Sequence, residues 1–173
     1  MPRRFEVSFG SERAPTELQR GLDLGSGITL SGKIDRIDVD PFGARGIVQD
    51  YKSGKHAHSA REIDSELRLQ IPLYMLVLRD LVGLEPLGGL YRPLAGERKP
   101  RGLLRATESE TLRGFAKNDY LDEDEFWASV ENARVKAHEL AQRIQEGDVR
   151  HDPKGGDCPA WCDLWPMCRV ERT

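Results

Sequence analysis

The sequence predicts a single α/β domain, with strands and helices sharing one core. Three observations support this. Two alternating runs, 29–39 and 46–52, flank the turn sequence Asp40-Pro41-Phe42-Gly43 and read as a hairpin. An apolar stripe at helical spacing follows through Leu69, Leu73, Leu76, Val77 and Leu81. A longer stripe runs through Phe126, Val130, Ala133, Ala137, Leu140 and Ile144 and reads as core-facing. At 173 residues, 38% hydrophobic and 32% charged, the chain suits one domain with a sizeable core.

In chain order, 5–9 is the first strand candidate, which puts Glu6 on a strand. The hairpin comes next. The first helical stripe opens on Gln70-Ile71-Pro72, where proline is tolerated only in the first turn, and Gly83 marks its stop. Residues 88–94 read as another strand. Basic residues then concentrate at Arg92, Arg98, Lys99, Arg101 and Arg105. This 92–105 segment reads as a loop, either tracking a phosphate backbone or simply solvated. Lys55, His56 and His58 line a groove or a surface loop. A polar stretch, 118–125, reads as the loop before a helix over 124–146. Asp122 and Asp124 suit that helix's positive end and Gly147 its stop. The remainder, 148–173, is a Cys-rich tail.

Composition sets bounds on function. No apolar run approaches the length of a membrane span, and no signal peptide points to secretion, so a cytoplasmic location is expected. The net charge of −3 supplies no overall positive field, which counts against tight autonomous DNA binding.

The chemistry gathers around the hairpin. Side chains two apart on a strand share a face. Asp35 therefore lies with Ile37 and Val39, and Asp50 and Lys52 lie with Val48. Both acids fall on the apolar parity of their strands, where a carboxylate costs free energy unless something pairs with it. A hard divalent cation, Mg2+ or Mn2+, would do so. Lys52 would then supply charge beside a phosphate or an attacking water. The alternative is an ordinary surface Asp–Lys pair. Gln70 and Tyr74 are four apart, on one face of their helix, suited either to orienting this site or to local helix capping and burial.

Read together, 32–38, 50–54 and 70–74 resemble the PD-(D/E)xK nuclease superfamily, closest to its RecB-like branch of AddB/AdnAB-type C-terminal nuclease domains. The resemblance runs from about residue 5 to 169. It implies a restriction-endonuclease-like core, a mixed central β-sheet flanked by helices, and metal-dependent cleavage of DNA. Asp35 and Asp50 match the family's metal-binding acids and Lys52 its catalytic lysine. The Tyr51 carbonyl matches a further metal ligand, and Gln70 and Tyr74 match the branch's additional motif. On this reading, residues 1–173 are one RecB-like nuclease domain, an exonuclease or an endonuclease, acting in DNA repair and recombination. DNA is its substrate, a helicase domain or subunit its partner, and Arg92, Arg98, Lys99 and Arg101 its nucleic-acid contacts. Family members carry a helical segment before the first strand, so the chain is expected to be the later portion of a larger protein. The alternative function is a non-cleaving module that grips DNA ends or a partner.

All three cysteines, Cys158, Cys162 and Cys168, fall in the tail. Three thiolates supply three positions of a zinc site or of a cubane cluster, and either needs a fourth ligand. Three reduced thiols packed with Trp161 and Trp165 are the plain alternative, and His151 is a candidate zinc ligand. The tail resembles the iron–sulfur staple of AddB-type domains, which implies a 4Fe-4S cluster in the full-length parent, its fourth cysteine lying upstream of the first motif. No such cysteine occurs in this chain.

Overall fold

The structure, a computed structural model, describes residues 2–42, 44–148 and 150. Residues up to Glu139 form one compact unit, and a second begins at Leu140. The strands are β1 (Pro2–Phe9), β2 (Leu22–Gly25), β3 (Ile28–Leu30), β4 (Gly32–Val39), β5 (Arg45–Lys52), β6 (Glu85–Pro93), β7 (Arg101–Arg105) and β8 (Tyr120–Leu121). The helices are α1 (Ala60–Ser65), α2 (Gln70–Asp80) and α3 (Glu123–Gln145).

The first unit is built on a mixed sheet of six strands in the order β1-β4-β5-β6-β7-β8, with β2 and β3 as a separate ribbon. The β4–β5 pair is the expected antiparallel hairpin. Its turn is held by Asp40, which accepts from Ala44 N–H at 3.1 Å and pairs with Arg45 at 3.1 Å. The chain returns from β5 through α1 and α2 to β6, which runs parallel to β5. Such a crossover is what parallel pairing requires.

Strand alternation divides the core in two. On one face, Ile37, Val39 and Val48 pack beneath the buried side of α2 (Ile71, Met75, Leu76, Leu78) and the start of α3 (Phe126, Val130, Ala133). On the reverse face, Ile47, Leu90 and Leu104 form a smaller cluster with Leu112, Phe115 and Tyr120. The helix α2 sits close to the sheet because β6 offers it glycine. A Cβ on Gly89 would stand 2.5 Å from Ile71 Cγ2. On the other side, a Cβ on Gly102 would stand 2.0 Å from the Gly89 carbonyl oxygen, so β7 also depends on a missing side chain.

Four expectations need correction. The run 29–39 is not one strand. It breaks at Ser31 into β3, paired with β2, and β4, paired with β1. The reason is a close crossing, since a Cβ on Gly10 (φ +69) would stand 2.7 Å from Ser31 Cα. The basic segment 92–105 is not a loop throughout, because Arg101–Arg105 is β7. Leu103 and Leu104 are both fully buried there, one to each face, so no alternation betrays the strand. The polar stretch before α3 contains β8, which pairs parallel to β7. Finally, the apolar stripe of α3 is core only in its first half. Phe126, Val130 and Ala133 are buried, whereas Leu140 is 40% and Ile144 67% exposed.

Beyond β7 and β8, the sequence reading also missed α1 and the β2–β3 ribbon. The first had a signal. Ser59 and Glu62 form a capping box in which the Glu62 carboxylate accepts Ser59 N–H at 2.7 Å. In the second unit, Asp148 takes Arg150 at 2.8 Å and Arg143 at 3.0 Å, which hold its carboxyl well below the usual carboxylate range. Cys158, Cys162, Cys168 and His151 lie outside the described residues.

Candidate active site

The β4–β5 register pairs Arg36 with Gln49. One step further, Asp35 stands opposite Asp50, at the open end of the hairpin. Both carboxylates are on the face that carries α2. Asp35 Oδ2 accepts the Tyr51 backbone N–H at 2.8 Å, so a side chain continues the ladder where backbone pairing stops. Asp50 is 3% exposed.

Helix α2 begins against this pair. Gln70 Nε2 donates to Asp50 Oδ1 at 2.6 Å, and its Oε1 accepts from Lys52 Nζ at 2.6 Å. Gln70 also donates to Tyr74 Oη at 3.1 Å, and that hydroxyl donates to the Lys33 carbonyl at 2.7 Å. The amide and phenol predicted to share a helix face are thus bonded to each other and span from β5 to β4.

Lys52 Nζ lies 2.7 Å from Asp50 Oδ2. This is a close ion pair. Oδ2 is buried and accepts no hydrogen bond among the described residues. Burial pushes the Asp50 carboxyl above its ordinary value. Lys52 opposes the shift and the charge of Asp35 adds to it. Burial likewise raises the Tyr74 phenol, with Gln70 opposing and both aspartates adding. The arrangement is two carboxylates and one ammonium in a partly dehydrated pocket, an imbalance that favours one further positive charge. Among the described residues, no three His, Cys, Asp or Glu gather as a metal-binding group. A pair of carboxylates still suits magnesium, which keeps several waters and commonly uses one or two protein acids.

The resemblance first suggested by three short stretches extends over nearly the whole chain. The model of the PD-(D/E)XK nuclease superfamily matches residues 1–169. The chain belongs to this superfamily. Its relatives include an ATP-dependent helicase/deoxyribonuclease subunit from Alkaliphilus metalliredigens, 23% identical over 225 residues, covering 100% of this chain and 20% of that protein. The same-named protein of Moorella thermoacetica is 34% identical over 113 residues, covering 58% of this chain and 10% of its own length. That of Clostridioides difficile is 34% identical over 76 residues, covering 43% and 7%. The chain therefore spans a fifth or less of these relatives, which match the RecB-like branch of PD-(D/E)XK nucleases.

The basic residues are distributed unevenly around this PD-(D/E)XK core. Arg92 donates to Gln49 Oε1. Arg101 pairs with the fully buried Asp119 at 2.9 Å and donates to Asn118 at 2.8 Å. Arg105 pairs with Glu123 at 2.6 Å. Arg98 and Lys99 are exposed, with Lys99 2.7 Å from Glu97. The loops after β5 and β6 adjoin, since Leu94 N–H donates to the Lys52 carbonyl at 2.8 Å and Lys55 borders Gly96. Exposed Lys55, His56, Arg98 and Lys99 therefore sit on neighbouring loops that leave from Lys52 and from Pro93, its partner on β6.

Sequence reasoning missed Tyr91. It stands opposite Asp50 on β6, with its ring centroid 5.2 Å from Lys52 Nζ and 5.7 Å from the His58 ring. Burial raises its phenol to about 12. Nothing local in the sequence marks it, because the strand register that brings it there is a long-range property.

Proposed function

We propose that this chain is the nuclease domain of an ATP-dependent helicase–nuclease, cutting DNA as an exonuclease in repair and recombination. Asp35 and Asp50 would hold a divalent cation, Mg2+ or Mn2+, with the Tyr51 carbonyl as a further ligand. The observation that supports this best is the buried, incompletely satisfied Oδ2 of Asp50 beside a second carboxylate. Bound there, a divalent cation would supply a lowered water pKa and withdraw charge from the phosphoryl group.

The protein's own groups divide the remaining work. Lys52 places an ammonium where negative charge develops on phosphorus. Gln70 fixes both Asp50 and Lys52 through its amide, so neither can rotate away without breaking a short bond. Tyr74 ties that amide to β4. Lys55, His56, Arg98 and Lys99 are positioned to meet phosphates leaving the site, and Arg92 and Arg101 shape the strands behind them. Cleavage of linear DNA with Mg2+ or Mn2+ should be lost in Asp50→Ala. Equal activity in both proteins would remove this mechanism.

A second reading is a non-cleaving module that grips DNA ends or a helicase partner. It is favoured by the net charge of −3 and by the internal pairing of Arg92, Arg101 and Arg105. Calorimetric titration separates the two: DNA binding retained with neither ion bound supports the module. The cysteine resemblance carries a separate proposal, a 4Fe-4S cluster on Cys158, Cys162 and Cys168 with a fourth ligand from the parent protein. Anaerobic purification with iron and sulfide analysis tests it. Among the described residues, no helix is long and apolar enough to cross a membrane.

A further inference from the structure

The residues next to the two acids are as informative as the acids. Because strand side chains alternate, Arg36, Gln49 and Tyr51 point to the reverse face, and Asp38 joins them there. That face is otherwise apolar a few residues away, at Ile47, Leu90 and Leu104. Gln49 is nevertheless 1% exposed. A buried amide is costly unless both of its ends are bonded, and here both are. Its Nε2 donates to Asp38 Oδ2 at 2.6 Å, and its Oε1 accepts from Arg92. Asp38 also takes Arg36 through both oxygens, at 2.6 and 2.8 Å, and Arg36 donates to Tyr51 Oη at 3.2 Å. The cluster crosses β4, β5 and β6 directly behind the site.

Its placement matters because of what is lacking on the other side. Backbone pairing between β4 and β5 ends at Arg36 and Gln49, one residue short of the acids. Beyond that point the strands are joined through the Asp35 carboxylate on the Tyr51 N–H, and two like charges face each other. Apolar contacts would bury the reverse face equally well, but they are non-directional and would not fix a gap.

We infer that Arg36, Asp38, Gln49 and Tyr51 form a clamp on the reverse face that sets the separation of Asp35 and Asp50, and through it the affinity of that pair for a divalent cation. This rests on the cation-binding reading above. These four are positioning residues, since none reaches the acids' face with its side chain. The clamp works by tying each acid's neighbour across the two strands, with Asp38 as the anion between Arg36 and Gln49.

The test is Mn2+ binding by calorimetry without DNA, on the 173-residue chain. Gln49→Met keeps the volume and removes both bonds. Asp38→Asn keeps the shape and removes the charge, and it decides the matter if Gln49→Met does not fold. Leu104→Ala is the control, as it loosens the reverse-face core without touching the clamp. Folding of each variant is checked by circular dichroism at the titration temperature. Disturbing groups that orient metal ligands weakens metal binding about 10–100-fold, so a loss of about tenfold is expected in Gln49→Met, the same direction in Asp38→Asn, and little change in Leu104→Ala. Wild-type affinity in both clamp variants would overturn the clamp and leave the cation site standing. An equal loss in Leu104→Ala would reduce the effect to general packing and also overturn it. A wild-type protein that binds no Mn2+ would remove the cation site itself.

Discussion

The two ends of α2 each hold an aspartate beside cationic groups, with opposite outcomes. At the C-terminal end, Asp80 takes Arg79 at 2.6 Å and also Arg134, while Arg79 reaches on to Glu131 at 2.8 Å. Burial raises the Asp80 carboxyl, but the two guanidinium groups outweigh it and its pKa falls. At the N-terminal end, burial raises Asp50, one ammonium opposes it, and a second carboxylate adds to it. The net shift is upward. One end is an electrostatically closed joint between α2 and α3. The other is left short of positive charge while being held more firmly, with Gln70 bonded on three sides. On the function proposed above, the difference is that a structural acid is satisfied by its own protein, whereas a site acid is positioned by it and left incomplete.

The sharpest way to break this comparison is to make the same change at both ends. Asp50→Asn should lower DNA cleavage by about 10^2–10^3-fold, the scale of losing a key electrostatic group, while leaving the thermal midpoint unchanged or higher. Asp80→Asn should do the reverse. It removes the charge shared by Arg79 and Arg134, leaving them Glu131, and costs about 1–3 kcal/mol of stability, with cleavage retained well below the midpoint. Comparable stability losses in the two variants would mean that Asp50 is structural after all.

Next in size is Gln70→Leu. It keeps bulk at the start of α2 but frees Asp50, Lys52 and Tyr74 together. Displacing groups that orient metal ligands costs about 10–100-fold in activity or affinity. The fall should appear in kcat and in the Mg2+ concentration needed for half-maximal rate, with KM for DNA nearly constant. A change confined to KM would instead make Gln70 a DNA contact.

The pH dependence of stability follows with opposite signs at the two ends. Asp80 has its folded pKa below the ordinary value of 3.8. Its contribution is present above that value and is lost as pH falls through the lowered folded pKa. Asp50 has its folded pKa above 3.8. Its contribution is full below that value and is lost as pH rises through the raised folded pKa. Thermal melts with a chelator present should show the acid-side loss flattened in Asp80→Asn. The loss on raising pH should be flattened in Asp50→Asn. The same flattening in both variants would erase the distinction between the two acids.

Much of the Asp50 end was legible in the sequence, and almost none of the Asp80 end. Asp35, Asp50, Lys52, Gln70 and Tyr74 lie in short stretches whose spacing alone sets their faces, two apart on a strand or four apart on a helix. The hairpin turn and the start of α2 have local markers as well. Asp80 is different, because its partner Arg134 is 54 residues away and only the packing of α3 brings them together. Tyr91 and the Gln49–Asp38 pair depend on register in the same way. Strand β7 stayed hidden because it is buried on both faces, so its side chains do not alternate in polarity. The break at Ser31 stayed hidden because it answers to Gly10, the residue after β1 and 21 positions away in the chain.

The smallest effect expected is also the one that marks how far the incomplete end extends. Tyr74→Phe keeps the ring, which packs edge-on to Phe9 with centroids 6.3 Å apart. It removes one bond from Gln70 and one to the Lys33 carbonyl, which lies at the exposed start of β4 where water can replace the phenol. A hydrogen bond of that kind contributes about 1 kcal/mol. Gln70 keeps its bonds to Asp50 and Lys52, so those two groups stay in place. Cleavage should therefore fall only a few-fold, and Mn2+ affinity should hold within about twofold, well short of the change expected on disturbing the ligands' own supports. A loss as large as that of Gln70→Leu would show that the phenol touches the reacting phosphate rather than bracing the amide, and the boundary between site and support would move out by one turn of α2.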